Sequence, residues 1–407
     1  MPTAALLIVT AGFAMLGIRQ SEWFGRMLLL YCAGTAITVL YLFIGYLNGA
    51  PNDAIIQVTL VYIVAPIVWI LIGTSAAQRF GEDWIVWWLV ILTWLALLSI
   101  VLFFFAFLTL GPSSVQFLTE DANVNVKGGF AGATMLVYGS LIFLAGGFFA
   151  SPKVLRWRIA GLVMPAALIV GAITSGRSAY IIAIPIGYAI GIALRPGLSE
   201  EARAQGGGIG LLPTIGMLIA GIGGVVALNS LFTQIDLNLI VNLFWGKLTS
   251  GGGDLRVEQA DALWAGIEQS YGLGMGHGVG VRYLRSDAFP WRYELLPLAS
   301  VLRVGIVGTI IYALPFLAYA GLLVRRFTAQ SLSLADVYMA GGLVAALVAT
   351  FTNPYMESFI FQWMYFLPVV ALGMSSMDRN PLSPASRPAA AAAGGDQGGH
   401  VTVHSVA

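Results

Sequence analysis

Cysteine, histidine and charged residues are scarce in this chain of 407 residues. The single cysteine, Cys32, lies in an apolar run, so an intrachain disulfide and a cysteine metal cluster are excluded. Charged residues make up 10% of the chain, and the formal net charge of +1 gives no indication of a nucleic-acid partner, so none is among the expected partners. Two of the three histidines lie near the C-terminus in a segment of low complexity, where they are poor metal ligands, and we predict no metal site.

Apolar residues are abundant instead. They make up 58% of the chain, against roughly 45–50% in a soluble domain, and the mean hydropathy is +0.85. Runs of about 20 apolar residues recur, each long enough to cross a ~30 Å hydrocarbon core as a helix. The alternating pattern of a membrane barrel is not seen. The sequence therefore predicts an all-α polytopic membrane protein embedded in a lipid bilayer.

Eleven apolar stretches are candidate transmembrane helices. They lie near 3–18, 27–48, 54–73, 84–109, 129–150, 159–174, 179–194, 208–228, 299–324, 337–352 and 357–377. The sixth and seventh are counted separately because Arg177 lies between them, and a lone arginine at mid-bilayer is costly.

These spans divide the chain into four parts. Residues 1–228 are predicted to hold the first eight transmembrane helices, and residues 299–377 the last three. Between them, residues 229–298 form a polar loop that holds a large share of the few charged side chains. Residues 378–407 are rich in proline, alanine and glycine, a composition typical of a disordered tail.

Basic residues predict the orientation, because lysine and arginine favour cytoplasmic loops. Twelve of the twenty lysine and arginine residues fall in alternate loops or in the tail. They are Arg19, Arg26, Arg79, Lys153, Arg156, Arg158, Arg195, Arg203, Arg325, Arg326, Arg379 and Arg387. We therefore predict that the N-terminus and the 229–298 loop lie outside the cytoplasm and that the tail lies inside it.

Within the loop, residues 254–270 are predicted to form an amphipathic surface helix. Its inward face is formed, at spacings of three and four, by Arg256, Ala260, Leu263, Trp264 and Ile267. Packing explains the apolar members but not the arginine. Arg256 on this face requires a partner, which is either a protein carboxylate or the phosphate of a ligand.

Arg177 lies in the turn between the sixth and seventh spans, on the predicted outer side. One interpretation is an arginine that reaches the interface while its stem stays in lipid. The other is a phosphate ligand, because a guanidinium grips phosphate through two nitrogens.

Residues 272–280 are rich in glycine but do not match a nucleotide-binding loop. They lack the strand–helix context of a dinucleotide site and the Gly-Lys-Ser/Thr of a phosphate loop. We expect these glycines to let the backbone approach other backbone or a ligand closely. His277, within this stretch, is either a base or a hydrogen-bonded structural histidine.

The loop ends in charged side chains at the predicted membrane boundary. Glu294 lies near several arginines and is either a structural ion-pair partner or a general base. Arg303, a turn or more into the ninth span, requires a buried acidic partner or a water-filled cavity.

Three blocks lie within about residues 159–372, namely Thr174–Ser178, Arg256–Gly280 and Glu294–Gly308. Together they resemble the superfamily of bacterial O-antigen ligases and Wzy-type polysaccharide polymerases. Thr174-Ser-Gly-Arg-Ser178 resembles that family's Thr/Ser-x-Ser-Arg-Gly block at the head of a span. The stretch from Arg256 to Gly280 resembles its arginine, Trp-containing helix and Gly-x-Gly turn.

The third block runs from Glu294 to Gly308 and resembles a His-Asn pair, apolar residues and a Gly-x-x-Gly that enters a span. Gly305 and Gly308 occupy the two glycine positions, and Asn353-Pro354 before the final span also fits. Where ligases usually carry His-Asn, this chain has Glu294 followed by leucine.

The resemblance implies a GT-C-like helical membrane glycosyltransferase of the bacterial inner membrane, with a helical periplasmic loop capping the site. It implies an undecaprenyl-diphosphate-linked glycan donor and an acceptor that is a second lipid-linked unit, or lipid A core in ligases. The resemblance also implies that no nucleotide sugar, cofactor or metal takes part in the reaction. A flippase and a chain-length regulator are the implied protein partners.

The resemblance also implies roles for the charged residues. Glu294 is the expected base for the acceptor hydroxyl, and Arg256 and Arg177 are expected to stabilise the diphosphate leaving group. The expected substrate-binding residues are Arg282, Arg285, Arg292, His277 and Trp264. We expect a polymerase first, because the His-Asn pair of ligases is missing, and a ligase second. A secondary transporter is the rival from another class, although the spans hold few ionisable residues.

Overall fold

The computed structural model of the protein describes residues 2–111, 123–127, 130–134, 137–155, 158–175, 178–205, 253–283 and 289–378, with isolated positions 216, 219 and 223. The predicted tail after residue 378 and most of the predicted eighth span, 208–228, lie outside these described residues. The described part is helical, with one short two-stranded hairpin.

The elements follow in chain order. The α-helices are α1 Pro2–Met15, α2 Glu22–Leu47, α3 Asn52–Val58, α4 Ala65–Leu110, α5 Val137–Ala150, α6 Arg158–Ser175, α7 Ser178–Leu194, α8 Glu200–Ala204, α9 Gly253–Gln269, α10 Leu296–Thr328, α11 Leu334–Ala349 and α12 Trp363–Asp378. Strands β1 Asn123–Lys127 and β2 Phe130–Thr134 pair antiparallel, with Asn123 opposite Thr134.

Among the described residues, five helical stretches are long and apolar enough to cross a membrane. They are Glu22–Leu47, Asn52–Phe103, Ala179–Gly197, Leu296–Thr328 and Phe359–Ser376. Three further apolar helices, Thr3–Met15, Val137–Ala150 and Leu334–Ala349, are shorter. The protein is therefore a helical membrane protein, as its composition predicts.

The predicted spans 54–73 and 84–109 belong to one continuous helical stretch. Helix α3 passes into α4 through a π-helical turn, Thr59–Val64. A 52-residue helix would be about 78 Å long, more than twice the thickness of the hydrocarbon core. Gly81 interrupts it with left-handed dihedrals (φ 74°, ψ 172°), which only glycine adopts readily, so the stretch is divided near the boundary that the sequence predicts.

The predicted span 129–150 is shorter in the structure. Strand β2 occupies its beginning, and helix α5 starts only at Val137. Glycine is frequent at the start of this stretch, which disfavours a helix there. The resulting 14-residue helix is about 21 Å long.

Helices α5 and α11 form the centre of the helical bundle. Nearly every residue of α5 is buried, as expected of a helix that is apolar all round. The two helices approach closely at Gly146 and Gly341, where a Cβ on Gly341 would lie 2.7 Å from the Gly146 carbonyl oxygen. Only 11% of the most apolar window of α2, and of α10, is buried, so these two helices lie at the periphery, where lipid would surround them.

A buried ionic cluster closes the end of the bundle where α10 terminates. Arg326 Nη1 lies 2.5 Å from Asp336 Oδ1 and 3.9 Å from Glu82 Oε2. Arg326 Nη2 donates to Ser375 Oγ at 2.7 Å. The cluster connects α10 with α11, α4 and α12, and it lies at the opposite end of α10 from the polar loop.

Candidate functional site

Helix α9 packs against the first turns of α10. The periodicity predicted a helix over 254–270, and the structure confirms it as Gly253–Gln269. The contact is a small apolar cluster in which Leu263 and Ile267 of α9 meet Ala299 and Leu302 of α10, with Tyr293 before that helix. This packing carries the polar residues of α9 to the entrance of α10.

Arg256 and Glu294 form an ion pair at that entrance. Arg256 Nε lies 3.3 Å from Glu294 Oε2. The two side chains are 33% and 26% exposed, so the pair is half-buried and solvent reaches both charges. A protein carboxylate is therefore the partner of Arg256 in this state, and a negatively charged ligand can still approach the guanidinium.

Gln259, one helical turn after Arg256, holds the backbone of the same segment. Its side-chain oxygen accepts hydrogen bonds from the backbone N–H of Glu294 at 2.9 Å and of Leu295 at 3.0 Å. These N–H groups lie at the start of α10, where no acceptor within the helix is available. Gln259 is buried, at 1% exposure, so it acts as a cap supplied by another helix.

Trp264 does not lie on the buried face, contrary to the sequence prediction. It is 52% exposed, whereas Leu263 is fully buried. At about 100° per residue, Leu263 lies about 20° from Arg256 around the axis and Trp264 about 80° away on the other side. The buried arc is shifted toward Gln259 and leaves the tryptophan at the surface.

The glycine-rich segment inserts between α2 and α10. Its backbone binds both helices: His277 N–H donates to Tyr41 O at 2.9 Å, and Met275 N–H donates to Leu302 O at 2.7 Å. Helix α10 is broken at Gly305 (φ 68°, ψ 179°), and Gly276 N–H donates to the Arg303 carbonyl oxygen. The segment thus satisfies backbone groups that the break in α10 leaves unpaired.

Glycine is required in this segment for conformation and for space. Gly274 and Gly276 have φ values of +90° and +98°, in the left-handed region. A Cβ on Gly274 would lie 2.5 Å from the backbone nitrogen of Gly305, and one on Gly276 would collide with the backbone of Gly45. The expected close approach of backbone to backbone is confirmed here.

His277 is buried beneath this segment, at 1% exposure. Its Nε2 lies 3.1 Å from the hydroxyl of Tyr312, which in turn lies 2.7 Å from Thr38 Oγ1. Burial lowers the pKa of the imidazole from 6.5 to about 3, and the charge of Arg303 acts in the same direction. His277 is therefore neutral and is held in a structural hydrogen-bond chain.

Arg303 has the buried acidic partner that its position in a span requires. Its Nη1 contacts Glu357 Oε1, and Tyr62 donates a hydrogen bond to the same carboxylate oxygen at 2.9 Å. Nη2 donates to the carbonyl oxygen of Trp291 at 2.7 Å. The two charged side chains are 4% and 7% exposed. This cluster fixes the chain just before Glu294 to the core of the bundle.

The other predicted arginines are placed differently. The guanidinium carbon of Arg292 lies 4.1 Å from the centre of the Phe289 ring, a cation–π contact that orients its planar group. Arg282 is exposed. Arg177 and Arg285 lie outside the described residues. The described residues thus bring Arg256 and Glu294 into contact, while Arg292 is two residues from Glu294 in the chain.

A cavity of about 90 Å³ lies between α2, α10, α12 and the start of α4 with the π-helical turn before it, and Tyr62 and Tyr312 line it. Its lining is mostly apolar, and none of the predicted site residues contributes to it. The Arg256–Glu294 pair therefore lies at the protein surface rather than in this cavity. Within the described ranges, no group of three or more His, Cys, Asp or Glu side chains is placed to hold a metal ion.

No family model, curated protein or solved structure matches this chain. The resemblance of its motifs to polysaccharide polymerases and ligases therefore stays a prediction.

Proposed function

We propose that this protein is a membrane glycosyltransferase that polymerises undecaprenyl-diphosphate-linked oligosaccharide units into a surface polysaccharide. The observation that carries the proposal is the Arg256–Glu294 pair, a cation and a carboxylate in contact at the entrance of a long membrane helix. Such a pair offers one group for a diphosphate and one for the proton of a hydroxyl.

The reaction assigns a step to each group. The oxygen of an acceptor sugar hydroxyl attacks the anomeric carbon of the donor glycan, and a glycosidic bond forms. The bond from that carbon to the diphosphate breaks, and undecaprenyl diphosphate leaves. Glu294 takes the hydroxyl proton, while Arg256, with Arg177 as a second cation, stabilises the negative charge on the leaving group.

The position of the pair supports a substrate that is anchored in lipid. Helix α10 has 33 residues, about 13 more than the ~20 needed to span a bilayer. Its break at Gly305, the tenth residue of the helix, separates the part that packs on α9 from the part that is long enough to span the bilayer. A headgroup at the bilayer surface would meet the side chains before this break.

The orientation belongs to the same proposal. The distribution of basic residues favours eleven spans in the bacterial inner membrane, the N-terminus and the 229–298 loop in the periplasm, and the C-terminus in the cytoplasm. Reporter fusions after Gly251 and after Arg325 test it. A cytoplasmic signal from position 251 would contradict both the topology and the proposed reaction.

Deletion of the gene, followed by analysis of surface glycan and lipid-linked intermediates, tests the function. Loss of a polymerase should leave single repeat units on the lipid carrier and no long polymer. Long polymer retained on the carrier, with none on lipid A core, would instead indicate a ligase. Unchanged glycans and intermediates would exclude both.

A further inference from the structure

Helix α9 carries large apolar side chains that its packing on α10 leaves exposed. Val257 and Trp264 are more than half exposed, and so is Tyr271, which lies just after the helix. The three positions are seven residues apart, so successive members return to nearly the same side of a helix. We call Val257, Trp264 and Tyr271 the apolar stripe. At about 100° per residue, its two helical members project about 80–100° from Arg256, beside the buried arc of α9.

The acidic side of α9 begins where the apolar stripe ends. Asp261 and Glu268 are exposed and project about 120–140° from Arg256, and Glu258 is exposed at about 200°. The apolar arc of the helix therefore runs from its contact with α10 through the stripe, and it is wider than that contact. A helix with a wide apolar arc and a charged opposite side is typical of helices that lie in a membrane interface.

The C-terminal end of the apolar stripe is fixed where the bilayer begins. Next to Tyr271, the carbonyl oxygen of Gly272 accepts a hydrogen bond from the backbone N–H of Ile306 at 2.9 Å. The stretch from Ile306 to Arg325 holds about the 20 residues that a helix needs to cross the hydrocarbon core. Ile306 and Leu273 are both exposed apolar residues. The turn after α9 therefore lies at the boundary of the part of α10 that spans the bilayer.

Tyr271 has a backbone conformation that glycine usually supplies at the end of a helix. Its φ is +51°, in the left-handed region, which costs a residue with a Cβ roughly 1–2 kcal/mol. Its side chain is 91% exposed, so packing against the protein does little to offset that cost. Tyrosine and tryptophan are enriched at membrane–water interfaces, where the ring contacts lipid and its polar group reaches water. A lipid surface thus supplies the contact that this ring lacks within the protein.

We propose that the apolar stripe rests on the surface of the phospholipid bilayer, so that α9 is held between α10 and lipid. The surface that fits is a zwitterionic one, because Asp261 and Glu268 beside the stripe would be repelled by anionic headgroups. The inference depends on the position of α9 against a spanning helix and on its exposed side chains. It therefore stands whether or not the protein transfers glycans.

Spin labels on the full-length protein test this contact. Cys32→Ser removes the native thiol, and Trp264→Cys or Tyr271→Cys then places a single label on the apolar stripe. The protein is reconstituted in phosphatidylcholine nanodiscs, one molecule in each, and label collisions with O₂ and with a water-soluble nickel chelate are measured. Ala265→Cys is the matched control, because Ala265 is exposed and projects about 180° from Arg256, on the acidic side.

The ratio of O₂ to nickel collisions decides the result. It should be at least about threefold higher at both stripe positions than at the control, because a polar chelate is excluded from apolar surroundings. Equal ratios at the stripe and at Ala265→Cys would show that the stripe faces water and would overturn the proposal. Few collisions with either reagent would also overturn it, since another part of the chain would then cover the stripe. A label at Val257→Cys replaces the one at Trp264→Cys if that variant does not fold.

Discussion

Arg303 and Glu357 lie 54 residues apart in the chain and form a buried ion pair between α10 and the segment before α12. The same guanidinium donates to the carbonyl oxygen of Trp291, three residues before Glu294. A buried charge pair thus fixes the chain next to the half-buried Arg256–Glu294 pair. The first pair is structural, and the second is accessible to a ligand.

Arg256→Ala should reduce glycan transfer by roughly 10²–10³, because one preorganised charge contact with the leaving group is lost. Arg256→Lys should restore little of it, since lysine lacks the planar fork. The measurement is polymer formation from lipid-linked units by membranes with matched protein levels. Arg26→Ala is the control, because it removes the arginine of a second Arg–Glu pair, with Glu22, in which both side chains are exposed. Equal activity in both alanine variants would show that Arg256 has no part in transfer.

Gln259→Met should increase amide hydrogen exchange at Glu294 and Leu295. The variant keeps the side-chain length but removes the acceptor of two backbone hydrogen bonds. A loss of about 1–2 kcal/mol corresponds to a roughly five- to thirtyfold change in the opening equilibrium. Gln269→Met, at an exposed position of the same helix, should leave these amides unchanged. Equal exchange in the two variants would contradict the capping role.

Local features of the site were predictable from the sequence, and long-range contacts were not. Helix α9 follows from the spacing of its apolar residues, and the need of Arg303 for a buried acid follows from its place in a span. That this acid is Glu357 depends on how distant helices pack, which leaves no periodic signal. Gln259 was missed, although its position three residues after Arg256 placed it on the same face. Trp264 was assigned to that face wrongly, because it lies about 80° from Arg256 around the helix axis, outside the buried arc of α9.

The glycine segment shows the same limit. Its composition predicts close backbone contact, but not that the contacts are with α2 and with the break at Gly305.

Gly276→Ala should strongly reduce the yield of folded protein, because its Cβ would collide with the backbone of Gly45. Gly49→Ala has a similar positive φ, +85°, but open space around it, and should cost only about 1 kcal/mol of strain. The yield of folded protein is measured by size-exclusion chromatography. Similar yields of the Gly276→Ala and Gly49→Ala variants would contradict the close packing of Gly276 against Gly45.

Stability should fall as the pH is lowered from about 6.5. The pKa of His277 is about 3 in the folded protein and about 6.5 when unfolded, so the unfolded state binds the extra proton between these values. The slope from this one group is at most about 1.4 kcal/mol per pH unit. Thermal unfolding of the wild type and of His277→Asn between pH 7 and pH 5 measures it. The variant should show the weaker pH dependence, and parallel curves would show that His277 is not the group responsible.

The buried Arg303–Glu357 pair should be more sensitive to the loss of one partner than to the loss of both. Arg303→Met leaves the Glu357 carboxylate buried without its cation and should destabilise the protein by about 3–5 kcal/mol. Arg303→Met combined with Glu357→Leu removes both charges, so it should recover much of that loss. Thermal unfolding of the two single variants and the double variant completes the comparison. A double variant as unstable as the sum of the singles would mean that the two side chains act independently, and would contradict the buried ion pair.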